Sequence, residues 1–297
     1  MDHSRIQSGP RISVCADPSD DQDLLHSAAQ LSVNLKLPLL RRPARRGQDA
    51  LLVVTPNRLE IRVVGGPVEM RGGRPIACQL SQIDGSSGPG RSLRQPLARA
   101  VGLKRRGDLR PTIIDATAGF GEDSWLLAVL GCSVLAVERH PVIATMLRDG
   151  FLRAAANDPD VSRPPLSLQS DSIHLLHRIR IYDPLRDLDL LGQVKQFLKP
   201  DVIYIDPMFP GGRKTVERKP LRVIRWLVGG DEDAELLLQS ALRLSPRRVV
   251  VKRPLRAQPL SNLKPTTTHK GNSIRYDVYS RNVCQGVNKT DRRNCLI

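Results

Sequence analysis

From Pro111 onward, short apolar runs alternate with helix-length segments, and this alternation constrains the fold more than any other feature of the 297 residues. Thr112 to Ile114, Ser133 to Val137, Leu166 to Gln169, Val202 to Ile205 and Arg248 to Val251 read as strands, and Ile274 to Tyr279 as a last, alternating one. Between them, Trp125, Leu126, Leu127, Val129 and Leu130 make the apolar face of a helix, with Gly131 as its stop signal. Pro141 opens a second helix reaching about Ala155, since proline is tolerated in a first turn. Asp231 to Leu244 has helical spacing as well. Strands separated by helices of this length predict an α/β fold built on a parallel, doubly wound sheet.

The N-terminal third differs. Arg11 to Cys15 reads as a strand, Asp20 to Leu35 as a helix after an acidic start, and Leu51 to Val54 with Leu59 to Val64 as a hairpin turning at Thr55-Pro56-Asn57-Arg58. A glycine-bearing loop, 85–90, leads to a basic helix over about Ser92 to Val101. The expected organisation is a small α+β domain over 1–105 with a disordered leader, a larger α/β domain over 106–280, and a basic tail, 281–297.

In open α/β sheets the chemistry sits beyond the carboxyl ends of the strands. Four strand ends here are candidates. The first carries Asp115, Gly119 and Gly121, whose glycines let a ligand approach the backbone. A nicotinamide dinucleotide is the natural rival, but its fingerprint expects a third glycine where Ser124 stands. The second carries Glu138, nineteen residues past Gly119, able to take two ribose hydroxyls. The third carries Asp171 and Ser172, a polar pair suited to an adenine amino group and equally to capping the next helix. The fourth is Asp206-Pro207-Met208-Phe209-Pro210, where an acid and two prolines cut a buried-looking strand. Acid, proline, apolar, aromatic is an order that resembles the [DNS]-P-P-[YF] motif of methyltransferases acting on exocyclic amino groups of nucleobases. The Asp206 carboxylate and the Pro207 carbonyl can accept both amino hydrogens, and Phe209 offers a face for the base to stack on. Together the four ends suit S-adenosylmethionine, which carries no phosphate.

Charge narrows the partner. Residues 206–280 hold 15 Lys/Arg against 7 Asp/Glu, a net +8 of the chain's +16, and the tail adds +3 from 4 against 1. A basic excess that begins at a base-handling motif is expected of a surface meeting a polyanion, with Arg213, Lys214, Arg218, Lys219, Lys252 and Arg253 as phosphate-binding candidates. The five cysteines lack C-x-x-C spacing, so reduced thiols of a cytoplasmic protein are expected, with Cys132 in the core. The six histidines are scattered, which predicts no metal, and no G-x-S-x-G elbow supports a serine hydrolase.

Read in order, Asp115-Ala-Thr-Ala-Gly119-Phe-Gly121-Glu122-Asp123, Glu138-Arg139-His140-Pro141-Val142, Asp206-Pro-Met-Phe-Pro210 and Val249-Val-Val-Lys252-Arg253-Pro254 resemble the RsmJ family of small-subunit ribosomal RNA guanine-N2 methyltransferases. The likeness spans about residues 50–280. It implies a Rossmann-like class I methyltransferase sheet, S-adenosylmethionine as cofactor, and small-subunit ribosomal RNA, naked or in an assembling subunit, as partner. By position it carries cofactor contacts over to Glu122, Asp123, Glu138, Arg139, Asp171, Ser172 and Asp206. Residues 85–107 are only loosely similar to the family, 179–199 read as an insertion, and 281–297 extend beyond its usual end. A non-catalytic RNA-binding protein on the same fold is the rival, as is an amino-methyltransferase acting on another base or on protein; a binder need not retain both Asp206 and Phe209.

Overall fold

The computed structural model describes residues 9–43, 47–80, 92–103, 110–157, 165–170, 195–208 and 219–280. Its N-terminal part comprises β1 (Ile12–Ala16), α1 (Gln22–Leu35), β2 (Ala50–Val54), β3 (Leu59–Val63) and α2 (Pro96–Val101). The remainder runs β4 (Thr112–Asp115), α3 (Glu122–Val129), β5 (Ser133–Glu138), α4 (Pro141–Asn157), β6 (Leu166–Gln169), β7 (Val202–Ile205), α5 (Lys219–Val228), α6 (Ala234–Arg243), β8 (Arg248–Pro254), β9 (Thr267–Lys270) and β10 (Ile274–Ser280).

Seven strands form one sheet in the order β6-β5-β4-β7-β8-β10-β9. The first five are parallel. β10 runs antiparallel to β8, and β9 antiparallel to β10, so the sheet is mixed where the sequence predicts a parallel one. The reason is the connection. No helix is built between β8 and β9, and β9 turns straight into β10 through Gly271, whose N–H donates to the Ile274 carbonyl. Only a crossover can return a strand in parallel.

Residue alternation along the strands sends side chains to two cores. Ile113, Val134, Val202, Tyr204 and Val250 pack on one face with α2 and α3. Their neighbours Ile114, Leu135, Ile203, Ile205, Val249 and Val251 pack on the other with Phe197 and α6. Both faces are covered, so the central strands read as unbroken apolar runs. Although α2 falls on the N-terminal side of residue 105, its buried Leu97, Ala98, Ala100 and Val101 belong to this large core.

The other sheet, β1-β2-β3, pairs β1 parallel to β2 and β2 antiparallel to β3. Asp21 caps α1 by accepting from the N–H groups of Asp23 and Leu24 at 3.0 and 3.1 Å. One cluster joins this sheet to α4 through Val142, Ile143 and Met146, and to α5 through Val223, Ile224 and Leu227. Cys132 is buried in the large core, and burial pushes its thiol up to about 12.

Strand order reverses beside β4: β5 and β6 extend one way, β7 and β8 the other. Ligands of such sheets sit at that switch. The loop leaving β4 contains Gly121, at φ 74° before α3, and a Cβ there would run into Leu147 and approach Phe151 Cζ at 2.8 Å. Gly121 therefore serves close packing of α3 on α4. We expect Gly121→Ala to lower stability by about 2 kcal/mol or more, combining left-handed strain with overpacking; thermal denaturation measures it, and an unchanged melting temperature would remove this role.

Candidate active site

Three strands end side by side at the switch, and side-chain oxygens take the backbone N–H groups that pairing no longer satisfies. Asp115, 2% exposed, accepts from Thr117 N at 3.2 Å and from Ser124 Oγ at 2.5 Å. Burial pushes its carboxyl up to about 7. It shapes the glycine loop from behind and does not line the cleft. Thr117 Oγ1 in turn accepts from Asp206 N at 2.6 Å, tying the β4 loop to the acceptor motif. At the end of β5, Glu138 accepts from Gly119 N (2.9 Å, Oε2) and His140 N (2.7 Å, Oε1). Burial raises its carboxyl above the usual range, while these two bonds pull it back.

A cleft open to solvent lies over these ends. Thr117, Gly119, Glu138, Arg139, Asp206, Asp231 and Asp233 supply its polar wall; Val137, Met208, Ile224, Val228 and Leu237 supply the apolar one. Of the residues read from sequence, Gly119, Glu138, Arg139 and Asp206 therefore meet in one place. Gly121 and Asp115 support it from outside. Glu122 is exposed at the start of α3, and Asp123 turns to Lys252 and Tyr204. Gln169 pairs with Glu138, and Ser170 N donates to the Glu138 carbonyl. Asp171 and Ser172, next in the chain, lie outside the described residues, as do Phe209, Arg213, Lys214 and Arg218.

Two residues read as phosphate binders stand elsewhere. Lys252 Nζ is 2.8 Å from Asp123 Oδ2 and 2.9 Å from Asp206 Oδ2, with 22% of its side chain exposed. Arg253 is 6% exposed and donates through Nη2 to the Gln258 carbonyl. Both are committed inside the protein, because the topology brings acids and carbonyls to them that a linear charge count does not reveal. Lys219 begins α5.

Arg139 spans the cleft to Asp231 and, at 2.8 Å, to Asp233. Burial would lower its guanidinium, yet the two carboxylates hold it above its ordinary value. Asp231 Oδ2 also accepts from Met208 N at 2.6 Å, which anchors the acceptor motif from the opposite side. Thr117, Asp231 and Asp233 were not singled out in the sequence. For the two acids the available signal was Gly229-Gly230 followed by Asp231-Glu232-Asp233, a turn crowded with carboxylates just before a helix.

The wall thus carries four carboxylates and one guanidinium that is already paired. Phosphates of a dinucleotide would be repelled here; a cationic sulfonium with hydroxyl donors fits. Gly119 has open space where a Cβ would stand, so a ligand can lie on its backbone. Glu138 would hold the ribose hydroxyls. Among the described residues no group of three or more His, Cys, Asp or Glu is placed to hold a metal ion, and no helix is long and apolar enough to cross a membrane.

A mostly parallel sheet with this strand order and an acid-walled cleft at its switch defines a Rossmann-like, S-adenosylmethionine-dependent methyltransferase. The family model described as "Putative SAM-dependent methyltransferase" matches residues 40–281. A ribosomal RNA small subunit methyltransferase J of Thioalkalivibrio sulfidiphilus is 39% identical over 263 residues, covering 87% of this chain and 94% of the relative. The enzyme of that name from Pseudomonas syringae pv. tomato is 37% identical, covering 93% of each. The crystal structure of a SAM-dependent methyltransferase from Neisseria gonorrhoeae superposes with a TM-score of 0.62 at 27% identity, covering 91% of this chain and 96% of that one. The chain belongs to the ribosomal RNA small subunit methyltransferase J family.

Glu138→Ala is expected to weaken cofactor binding at least roughly tenfold, since a hydrogen bond to a charged group contributes about 1.5–3 kcal/mol. Calorimetry with S-adenosylhomocysteine checks it. Unchanged affinity in a folded variant would reject the ribose assignment.

Proposed function

We propose that this chain transfers a methyl group from S-adenosylmethionine to the exocyclic N2 of a guanosine in small-subunit ribosomal RNA, in the cytoplasm. The observation that carries the reading is Asp206: a carboxylate fixed at a strand end by its own N–H to Thr117, on the wall it shares with Glu138. The relatives' names support the RNA class, and the resemblance of the acceptor motif supports the guanine amino group.

When bound, S-adenosylmethionine supplies an electrophilic methyl whose carbon–sulfur bond breaks with the electron pair left on sulfur. The residues do the rest. The Asp206 carboxylate and the Pro207 carbonyl accept the two amino hydrogens, which turns the nitrogen lone pair toward the methyl. As the new nitrogen–carbon bond forms, nitrogen gives up one proton to Asp206. Burial holds the Asp206 carboxyl above the ordinary range, Lys252 opposes that, and the charge of Asp123 adds to it, so Asp206 is a better proton acceptor than a solvated aspartate. Phe209 stacks on the unpaired base. Arg213, Lys214, Arg218 and Lys219 meet RNA phosphates.

Asp206→Ala removes the contact and Asp206→Asn replaces one acceptor oxygen with a donor. Both should slow single-turnover methylation by about 10²–10³, read by nucleoside mass spectrometry, while RNA affinity hardly moves because many phosphate contacts set it. A variant methylating at near the wild-type rate would sink the assignment.

Neutralising Lys214, Arg218 and Lys219 together should flatten the slope of log affinity against log salt by roughly 0.7–0.9 per lost phosphate contact. Cofactor affinity should stay as it is. A slope that does not change would place the RNA path elsewhere.

A further inference from the structure

Beside the cleft lies a charge cluster that neither cofactor binding nor phosphate binding explains. Lys252 on β8 points its ammonium between Asp123 of α3 and Asp206 at the end of β7, touching the Oδ2 of each. The Tyr204 hydroxyl donates to the same Asp123 oxygen at 2.6 Å. Tyr276, in register with Lys252, lies against Tyr204 with ring centroids 6.5 Å apart and closes the cluster from β10. An ammonium placed here loses hydration, and only paired carboxylates offset that loss.

We propose that Lys252 is a positioning residue for methyl transfer: its ammonium holds Oδ2 of Asp206, fixes the rotation of that carboxylate and keeps it ionised, so that Oδ1 accepts from the amino group of the acceptor base. The inference deepens the reading of Asp206 as the acceptor-side residue and rests on it.

The groups that bear on Asp206 can be named element by element. Lys252 comes from β8, Asp123 from α3, Tyr204 from β7, Tyr276 from β10, Asp115 from β4, and Asp231 from the turn before α6. Lys252 therefore stands in contact with the carboxylates of Asp123 and Asp206, while Asp231 is paired with Arg139. Burial alone would lower the Lys252 ammonium, yet Asp123 and Asp206 hold it well above its ordinary value. Asp123, despite burial, is held below the usual range by Lys252. Without the cation, Asp123 and Asp206 would face each other as like charges, and one of them would take up a proton. A protonated Asp206 turns one acceptor into a donor and repels an amino hydrogen.

The experiment compares Lys252→Met with wild type in two measurements. One is a ¹³C NMR titration of the Asp206 carboxyl in cofactor-free protein, assigned with Asp206→Asn. The other is the pH dependence of single-turnover methylation. Losing a cation in contact should move the Asp206 titration and the acid limb of the rate profile together to pH values about 1–3 higher. The rate at neutral pH should drop at least about tenfold, with RNA affinity and its salt slope unchanged. Lys252→Arg, which keeps the charge, should return the titration toward the wild-type position, and Asp123→Asn should move it to lower pH. Should Lys252→Met fail to fold, the double variant Lys252→Met, Asp123→Asn removes the cation with one of its anions, and Asp206 should still titrate above wild type. A wild-type titration of Asp206 in a folded variant lacking Lys252 overturns the proposal. So does a loss of RNA affinity with a flattened salt slope and an unmoved titration, which would make Lys252 a phosphate ligand. Wild-type methylation by Asp206→Ala overturns both this inference and the acceptor-site reading. A crippled Asp206→Ala beside a Lys252→Met of normal rate and titration overturns the inference alone.

Discussion

At the carboxyl edge of the sheet the strands stop pairing, and every backbone N–H left there needs an acceptor. A buried donor without one costs about 1–3 kcal/mol. Three acidic side chains and one threonine meet that demand: Asp115 for Thr117, Thr117 for Asp206, Glu138 for Gly119 and His140, and Asp231 for Met208, with Asp201 doing the same for Thr112 at the opposite edge. The loop shapes follow from these bonds. So does the electrostatic character of the cleft, because Glu138 and Asp231, which hold the backbone, are also part of its wall. Structural need and ligand preference are met by the same oxygens, and a cationic ligand is what such a wall can accept.

Much of this was legible in the sequence, for physical reasons. Central parallel strands are buried on both faces, so β4, β5, β7 and β8 stand out as apolar runs, and the acids that close them mark the edge where a ligand sits. Gly131, at φ 89°, ends α3 as its composition promises. Strand direction was not legible. Val249 and Val278 are equally apolar, and only the absence of a crossover helix turns β10 around. β9 escaped because it is an edge strand of Thr267, Thr268, His269 and Lys270 with no apolar alternation. α5 was hidden in a stretch read for its charge, although Val223, Ile224 and Leu227 have helical spacing.

The fate of a lysine is harder still to read. Lys252 and Lys219 look alike in a charge count, but the acid that claims Lys252 stands 129 positions earlier in the chain. Whether a strand-end cation meets water or a carboxylate is decided by which helix the fold lays beside it. Local pattern supplied the elements; the pairing of charges needed the topology.

The N-terminal sheet carries none of the cleft's side chains, yet it is not independent of the cleft. Ile224 of α5 belongs to the core that joins this sheet to α4 and α5, and the same residue lines the cleft. The back of the ligand wall is thus the front of the accessory core. Two residues away, Trp226 fills the space a side chain at Gly66 would need, so the sheet and the helix are shaped to each other. Without the accessory sheet, Val223, Ile224 and Leu227 would lose their cover, which makes the small sheet a buttress for the wall that α5 gives the cleft.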